Sequence, residues 1–277
     1  MYPQDYPRRY LHIAGGFAAG GTLTRIGPDV HTNLPIQTVA PVDLPMVGGI
    51  SENTTEGVAL TGRHSGVAGL SAELMNRELI SIGWAHSLVQ SDPFVEGGPV
   101  GSRTLTEARS IRLDAGAISI ESLRLEMRSV HLPGERLPQM SFVATTLNGL
   151  RLGGHDVSLT FDLNPFNRYP TLDALETAFK NSDDLKRDLT PRFLLDQKTG
   201  GFYRNESGYV VGSILKSVSG LPPGATLDGY TINWKGFGRI ILGEVFMGAY
   251  VRRATLIRVE HSSLDGGSGC TGGSWYP

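Results

Sequence analysis

The sequence predicts a mainly β fold, an antiparallel sandwich or barrel with a small helical insertion near 170–190. Three observations lead there. Long runs of β-branched and large apolar residues with a period of two fill the stretch from Tyr230 to His261. Shorter runs of the same kind alternate with regular turn signals between Ser102 and Leu163. Convincing helical periodicity appears in one place, after Pro170.

The stretch ending at His261 organises the reading. Residues 239–247 and 254–261 are expected to form two long antiparallel strands. Strict alternation puts Ile241, Val245 and Met247 on one face, with Ile240, Leu242, Glu244 and Phe246 on the other. A three-residue loop at Tyr250, Val251 and Arg252 then sets Glu244 opposite Arg258, Val245 opposite Ile257 and Ile241 opposite His261. That register matches apolar with apolar and pairs opposite charges, worth about 0.2–1 kcal/mol per cross-strand pair. Both faces carry apolar residues, so the strands are expected to lie centrally.

Upstream, the glycine run at 15–21 reads as a flexible turn between short strands at 11–13 and 22–26. The segment 35–47 holds prolines and reads as edge strand or wall loop. Residues 71–80 fit a short helix or a strand, and Ile82, Trp84 and His86 are expected to share one strand face. Ile118 and Ile120 share a face, but Leu123, Leu125 and Met127 continue on the other parity. That phase change predicts a β-bulge near Glu121 and Ser122. Asn148-Gly149 between two strand-like runs predicts a tight turn, and 153–156 predicts another. Val157, Leu159, Phe161 and Leu163 alternate as a half-buried strand.

The helix after Pro170 takes Thr171 as its N-cap and Leu172, Leu175, Ala178 and Phe179 as its apolar stripe. Ser182 caps a second short helix that Pro191 stops. The pair is acidic and sits inside a β chain, which argues against a DNA-reading helix pair. No linker divides the chain, so residues 1–277 are expected to form a single β-rich domain with a glycine-rich C-terminal tail at 264–277, flexible by composition.

Composition narrows the function classes. The 277 residues carry a net charge of −2 and only 19% charged residues, without the basic excess of a nucleic-acid binder. No stretch reaches the roughly 18 apolar residues of a membrane span. The single cysteine, Cys270, permits neither an intrachain disulfide nor a thiolate metal site. Arg8-Arg9 resembles a twin-arginine start, but His12 and the following glycines dilute the apolar run it needs, so the compartment stays open. No zinc-binding, P-loop, dinucleotide or nucleophile-elbow spacing is present, and no cofactor is implied.

The candidate site residues are therefore individual side chains. Glu244 lies between Leu242 and Phe246, so it is paired, most simply with Arg258, or it serves as an acid or base at a barrel mouth. Arg258, His261 and His64 are the other candidates for chemistry. Trp275 and Tyr276 are candidates for assembly, since they could dock the tail on a neighbouring subunit. The reading favours a non-enzymatic binding or structural module that self-associates through edge strands or the tail. An enzyme or small-molecule binder with a β-barrel or sandwich cavity is the first alternative. A carbohydrate-binding module, with Trp84 or Trp234 on a flat exposed surface, is the second.

Overall fold

The computed structural model describes residues 14–26, 31–44, 48–65, 72–93, 95, 97–261 and 267–273. The strands are β1 (Gly15–Ile26), β2 (His31–Val39), β3 (Val42–Asp43), β4 (Ile50–Thr61), β5 (Glu78–Ser91), β6 (Val100–Leu113), β7 (Ile118–His131), β8 (Gln139–Asn148) and β9 (Leu150–Leu152). They continue with β10 (His155–Phe161), β11 (Val210–Ser213), β12 (Leu215–Ser219), β13 (Ala225–Asp228), β14 (Thr231–Trp234), β15 (Gly238–Met247), β16 (Arg252–His261) and β17 (Gly267–Gly273). The helices are α1 (Ala72–Asn76), α2 (Asn164–Arg168), α3 (Leu172–Asn181) and α4 (Asp183–Leu189).

Among the described residues the strands form two antiparallel sheets, and neither closes into a barrel. The first runs β13-β14-β15-β16-β17-β1-β2, with β11 on β15 and β3 on β1. The second runs β12-β10-β9-β7-β6-β5-β4, with β8 on β7. Their inner faces share one apolar core that includes Ala18, Leu242, Val245 and Leu256 from the first sheet and Ile82, Ile111, Leu123 and Leu125 from the second. Ile214, fully buried between β11 and β12, is where the chain crosses from one sheet to the other.

The expected hairpin is present, central and antiparallel, in a different register. Glu244 faces Thr255, Leu242 faces Ile257 and Ile241 faces Arg258, three residues away from the expected pairing. The connection takes four residues, 248–251, closed by the Gly248 N–H donating to the Val251 carbonyl at 2.8 Å. The faces differ as well. Ile240 and Leu242 point into the core, and so do Val245 and Met247, so the inward set changes parity. The change happens at Gly243, which has φ +60°. On β16 it happens between Ile257 and Leu256, both in the core. Because both strands switch at one level, the register on either side is unchanged. A Cβ on Gly243 would meet Ile214 Cγ1 at 2.9 Å and Phe161 Cε1 at 3.1 Å, so space as well as backbone conformation requires glycine.

The second sheet repeats this device across all its long strands. The ladders skip one row that runs Gly57, Gly83, Ser110, Glu121, Gly149 from β4 to the β8–β9 junction. Gly57, Ser110 and Gly149 have φ of +65°, +54° and +62°. On β5 the buried set passes from Ile80 and Ile82 to Ala85, Ser87 and Val89. On β7 it passes from Ile118 and Ile120 to Leu123 and Leu125. The phase change at Glu121 is present, but it is not the expected β-bulge: β6 and β7 keep one register through it, so it is one station of a crease crossing the sheet. It also corrects two expectations. Ile82 points inward while Trp84 lies on the outer face, so Ile82 does not share a face with Trp84 and His86. Asn148-Gly149 is no hairpin: β8 and β9 run on along the same side of β7. The hairpin turn is Gly153-Gly154, with φ of +55° and +83°.

Three further expectations change. The glycine run at 15–21 lies within β1, where Ala18 and Ala19 are fully buried and a Cβ on Gly20 would meet Thr38 Cγ2 at 3.0 Å. The space there admits only small residues. The glycine-rich segment 267–273 is strand β17, paired between β16 and β1. Residues 72–76 are helical, but β5 begins at Glu78. Residues 1–13, including Arg8 and Arg9, lie outside the described residues.

The helical insertion falls where the periodicity places it. Thr171 Oγ1 accepts from the Ala174 N–H and Ser182 Oγ from the Leu185 N–H, each at 3.2 Å. α2, which precedes them, covers the edge of β8: the Asn167 amide accepts from the Phe142 N–H and donates to its carbonyl, both at 2.8 Å. Two buried arginines tie this region down. Arg192 bridges Asp162 and Asp188 and donates to the Ser213 carbonyl. Arg252 donates to the carbonyls of Met140, Phe166 and Pro170, and burial pulls its pKa down to about 10.

The crease makes a stability prediction. Gly243→Ala is expected to cost about 2–4 kcal/mol in urea unfolding, through left-handed strain plus overpacking. Gly236→Ala, with φ +79° but open space around its Cβ, is expected to cost only about 1–2 kcal/mol.

Candidate functional site

Glu244 and Arg258 meet despite the changed register. The parity switch at Gly243 turns both side chains to the outer face of the first sheet. Arg258 Nη2 lies 2.6 Å from Glu244 Oε1 and Nε lies 3.1 Å from Oε2, a bidentate pair. Arg258 Nη1 also binds Glu260, whose other oxygen is 3.3 Å from Arg239 Nη1. Glu244 is buried, and Tyr230 stands near it. Burial, then the Glu244 charge, pushes the Tyr230 hydroxyl up to about 12. A carboxylate held by two guanidinium nitrogens is poorly placed to exchange protons with a ligand, so this cluster reads as a structural ion pair.

The other candidates are not brought together with it. His261 ends β16 opposite Gly238, and His64 sits in the short 3-10 turn Gly62–Ser65; the side chains of both lie outside the described residues. Trp275 and Tyr276 also lie outside them. Among the described residues no group of three or more His, Cys, Asp or Glu side chains is placed to hold a metal ion. No helix there is long and apolar enough to cross a membrane.

The outer face of the second sheet carries the denser polar array. His86 Nε2 lies 2.9 Å from Glu52 Oε1, and its Nδ1 lies 3.8 Å from Glu107 Oε2. Arg124 bridges Glu107 at 2.8 Å and Glu126 at 2.7 Å, and Arg103 closes on Glu126 at 2.7 Å. Glu126 is only 4% exposed. Burial pushes its carboxyl up, but hydrogen bonds from Arg124 and Arg103 outweigh burial and hold it below the usual carboxylate range. The sequence shows these charges at alternate positions on neighbouring strands. Knowing that they form one chain requires the register.

Beside this array the crease opens a groove of about 650 Å³. Its floor is the row from Gly57 to Gly149. One bank is the row Ser81, Arg112, Ser119, Arg151, opposite one another by register. The row on the other side of the crease places Trp84 opposite Arg109, whose guanidinium lies 4.9 Å from the Trp84 ring centroid. Arg112 pairs with Glu78 at 3.0 Å and Arg151 with Asp156 at 2.6 Å. Sequence reading missed the groove because four separate small residues, Gly57, Gly83, Ser110 and Gly149, acquire meaning only once they are aligned across strands.

The family described as Domain of unknown function (DUF8256) matches residues 10–199. The chain belongs to this family. The matched span holds the groove and the charged array, while the β15–β16 hairpin lies beyond it. No curated protein and no solved structure matches the chain.

The Glu126 cluster predicts a pH signature. A carboxyl depressed by folding adds stability above its ordinary value of 4.5 and loses that contribution as pH falls through the folded-state value. Glu126→Gln is expected to lower stability near neutral pH by about 1.5–3 kcal/mol. In urea titrations at stepped pH, the gap to wild type should close below pH 4.5.

Proposed function

We propose that the protein is a non-enzymatic structural and binding module that self-associates through the outer edge of β4. The observation that carries this reading is that β4, a 12-residue strand ending the second sheet, pairs with β5 on one side and with no strand on the other among the described residues. A long open edge offers a row of backbone donors and acceptors to another strand. Ile50 at its start is 62% exposed. The glycine-rich strand β17 is already paired within the protomer, so the edge, rather than that segment, is the better assembly element. Glu244, the strongest candidate for acid–base chemistry, is engaged by Arg258, which weakens the enzymatic alternative.

Charge selects a register for the pairing. Two copies related by a twofold axis at Asn53 would set Ile50 opposite Glu56 and Glu52 opposite Thr54 of the other copy. Centring one residue later would set Glu52 against Glu56, and like charges directly opposite are unfavourable. Light scattering coupled to size exclusion tests this. The wild type should elute as a dimer or larger even-numbered assembly. Ile50→Glu with Thr54→Glu should yield monomer, and Ile50→Lys with Thr54→Lys should hold the dimer at lower concentration. A monomeric wild type, or a mass indifferent to both double variants, would refute the assignment.

A further inference from the structure

We infer that the groove on the outer face of the second sheet binds a neutral oligosaccharide chain lying across the strands. This rests on the groove's chemistry and is independent of strand-edge assembly.

Shape limits the ligand first. The crease crosses five neighbouring strand positions, which at the usual strand spacing makes a trough about 19 Å long. Its volume of about 650 Å³ suits several linked rings better than a single small metabolite. The trough is open along its length and runs across the strands. An extended peptide seated there would find side chains but no sheet edge, so it would forfeit the main-chain pairing on which peptide binding to β proteins depends.

Charge limits it next. Arg109, Arg112 and Arg151 are offset by Glu78, Glu121 and Asp156, with Glu56 in the same row as Trp84. Without a positive excess, the site is ill suited to phosphate, sulfate or nucleic-acid chains. Three of these groups form no salt bridge among the described residues: Arg109, whose guanidinium lies over the Trp84 ring, Glu56 in the same row, and Glu121 in the floor. The arginine is a fork of donors and each carboxylate a pair of acceptors. Sugar hydroxyls both donate and accept, and so can satisfy both kinds together. Ser81 and Ser119 add hydroxyls on the facing bank. Trp84, half-buried in the row beside the trough, lies between the Arg109 guanidinium and the stacked His86 ring and so positions Arg109.

Calorimetric titration of the full chain decides the matter. The probes are cellotetraose, maltotetraose and N-acetylchitotetraose, with a heparin tetrasaccharide and a neutral hexapeptide for comparison. At least one neutral tetrasaccharide should bind. Arg109→Ala, Glu121→Gln and the groove-filling Ser119→Trp should each weaken it by about tenfold or more, with unchanged circular dichroism and melting temperature. Arg239→Ala, on the other sheet, should leave it unchanged. Binding of the heparin fragment or the peptide alone would overturn the inference. So would binding of no probe, or neutral-sugar binding indifferent to the groove variants. Ile50→Glu with Thr54→Glu should bind the sugar as wild type does, which separates this outcome from that of the assembly reading.

Discussion

The structure depends on a constraint of strand geometry. A regular strand buries every second residue, yet the apolar residues here do not keep one parity. The conflict is resolved at a single level in each sheet, where paired strands reverse their buried face together. Gly243 and Gly57 take the left-handed backbone at little cost, and Ser110 takes it despite its side chain. Register survives because both partners switch. Without the crease, half of each long strand would turn its apolar residues to solvent.

This one device accounts for what could and could not be read from the sequence. Class, helix caps and the central hairpin were legible because they rest on local periodicity and capping chemistry. Thr171 and Ser182 cap their helices as expected. The phase change between Ile120 and Leu123 was visible because both apolar sets lie on one strand. Its partners were not. On β5 the switch is hidden by Gly83, and His86 looks like a continuation of Ile82. On β15 Gly243 looks like an ordinary strand residue, and strict alternation beyond it gives the wrong face. The hairpin register missed by three residues for a related reason: the Glu244–Arg258 pair, used to choose the register, is brought together by the parity switch and not by direct opposition.

The same device creates the features that bear on function. Where two successive residues face outward on five adjacent strand positions, and most of those in the floor are glycine or serine, the sheet surface sinks into a trough. The charged array beside it pairs its charges with one another, from Glu52 through Arg103. The first sheet uses its crease differently. There Gly243 admits Phe161 and Ile214 from inside, which locks the crossing strands to the hairpin. The family match covers the creased strands of the second sheet, leaving out only β12, and stops before the hairpin. The groove therefore belongs to the part of the chain by which the family is defined.

Cysteine accessibility along β5 tests the crease most directly. In a Cys270→Ser background, single cysteines replace Ser81, Ala85, His86 and Ser87, and their rates of thiol labelling in the native state are compared. A reversal of the buried face at Gly83 predicts fast labelling at 81 and 86 and slow labelling at 85 and 87. An unbroken alternation would instead give fast labelling at 81, 85 and 87 with slow labelling at 86, and would contradict the account from its foundation.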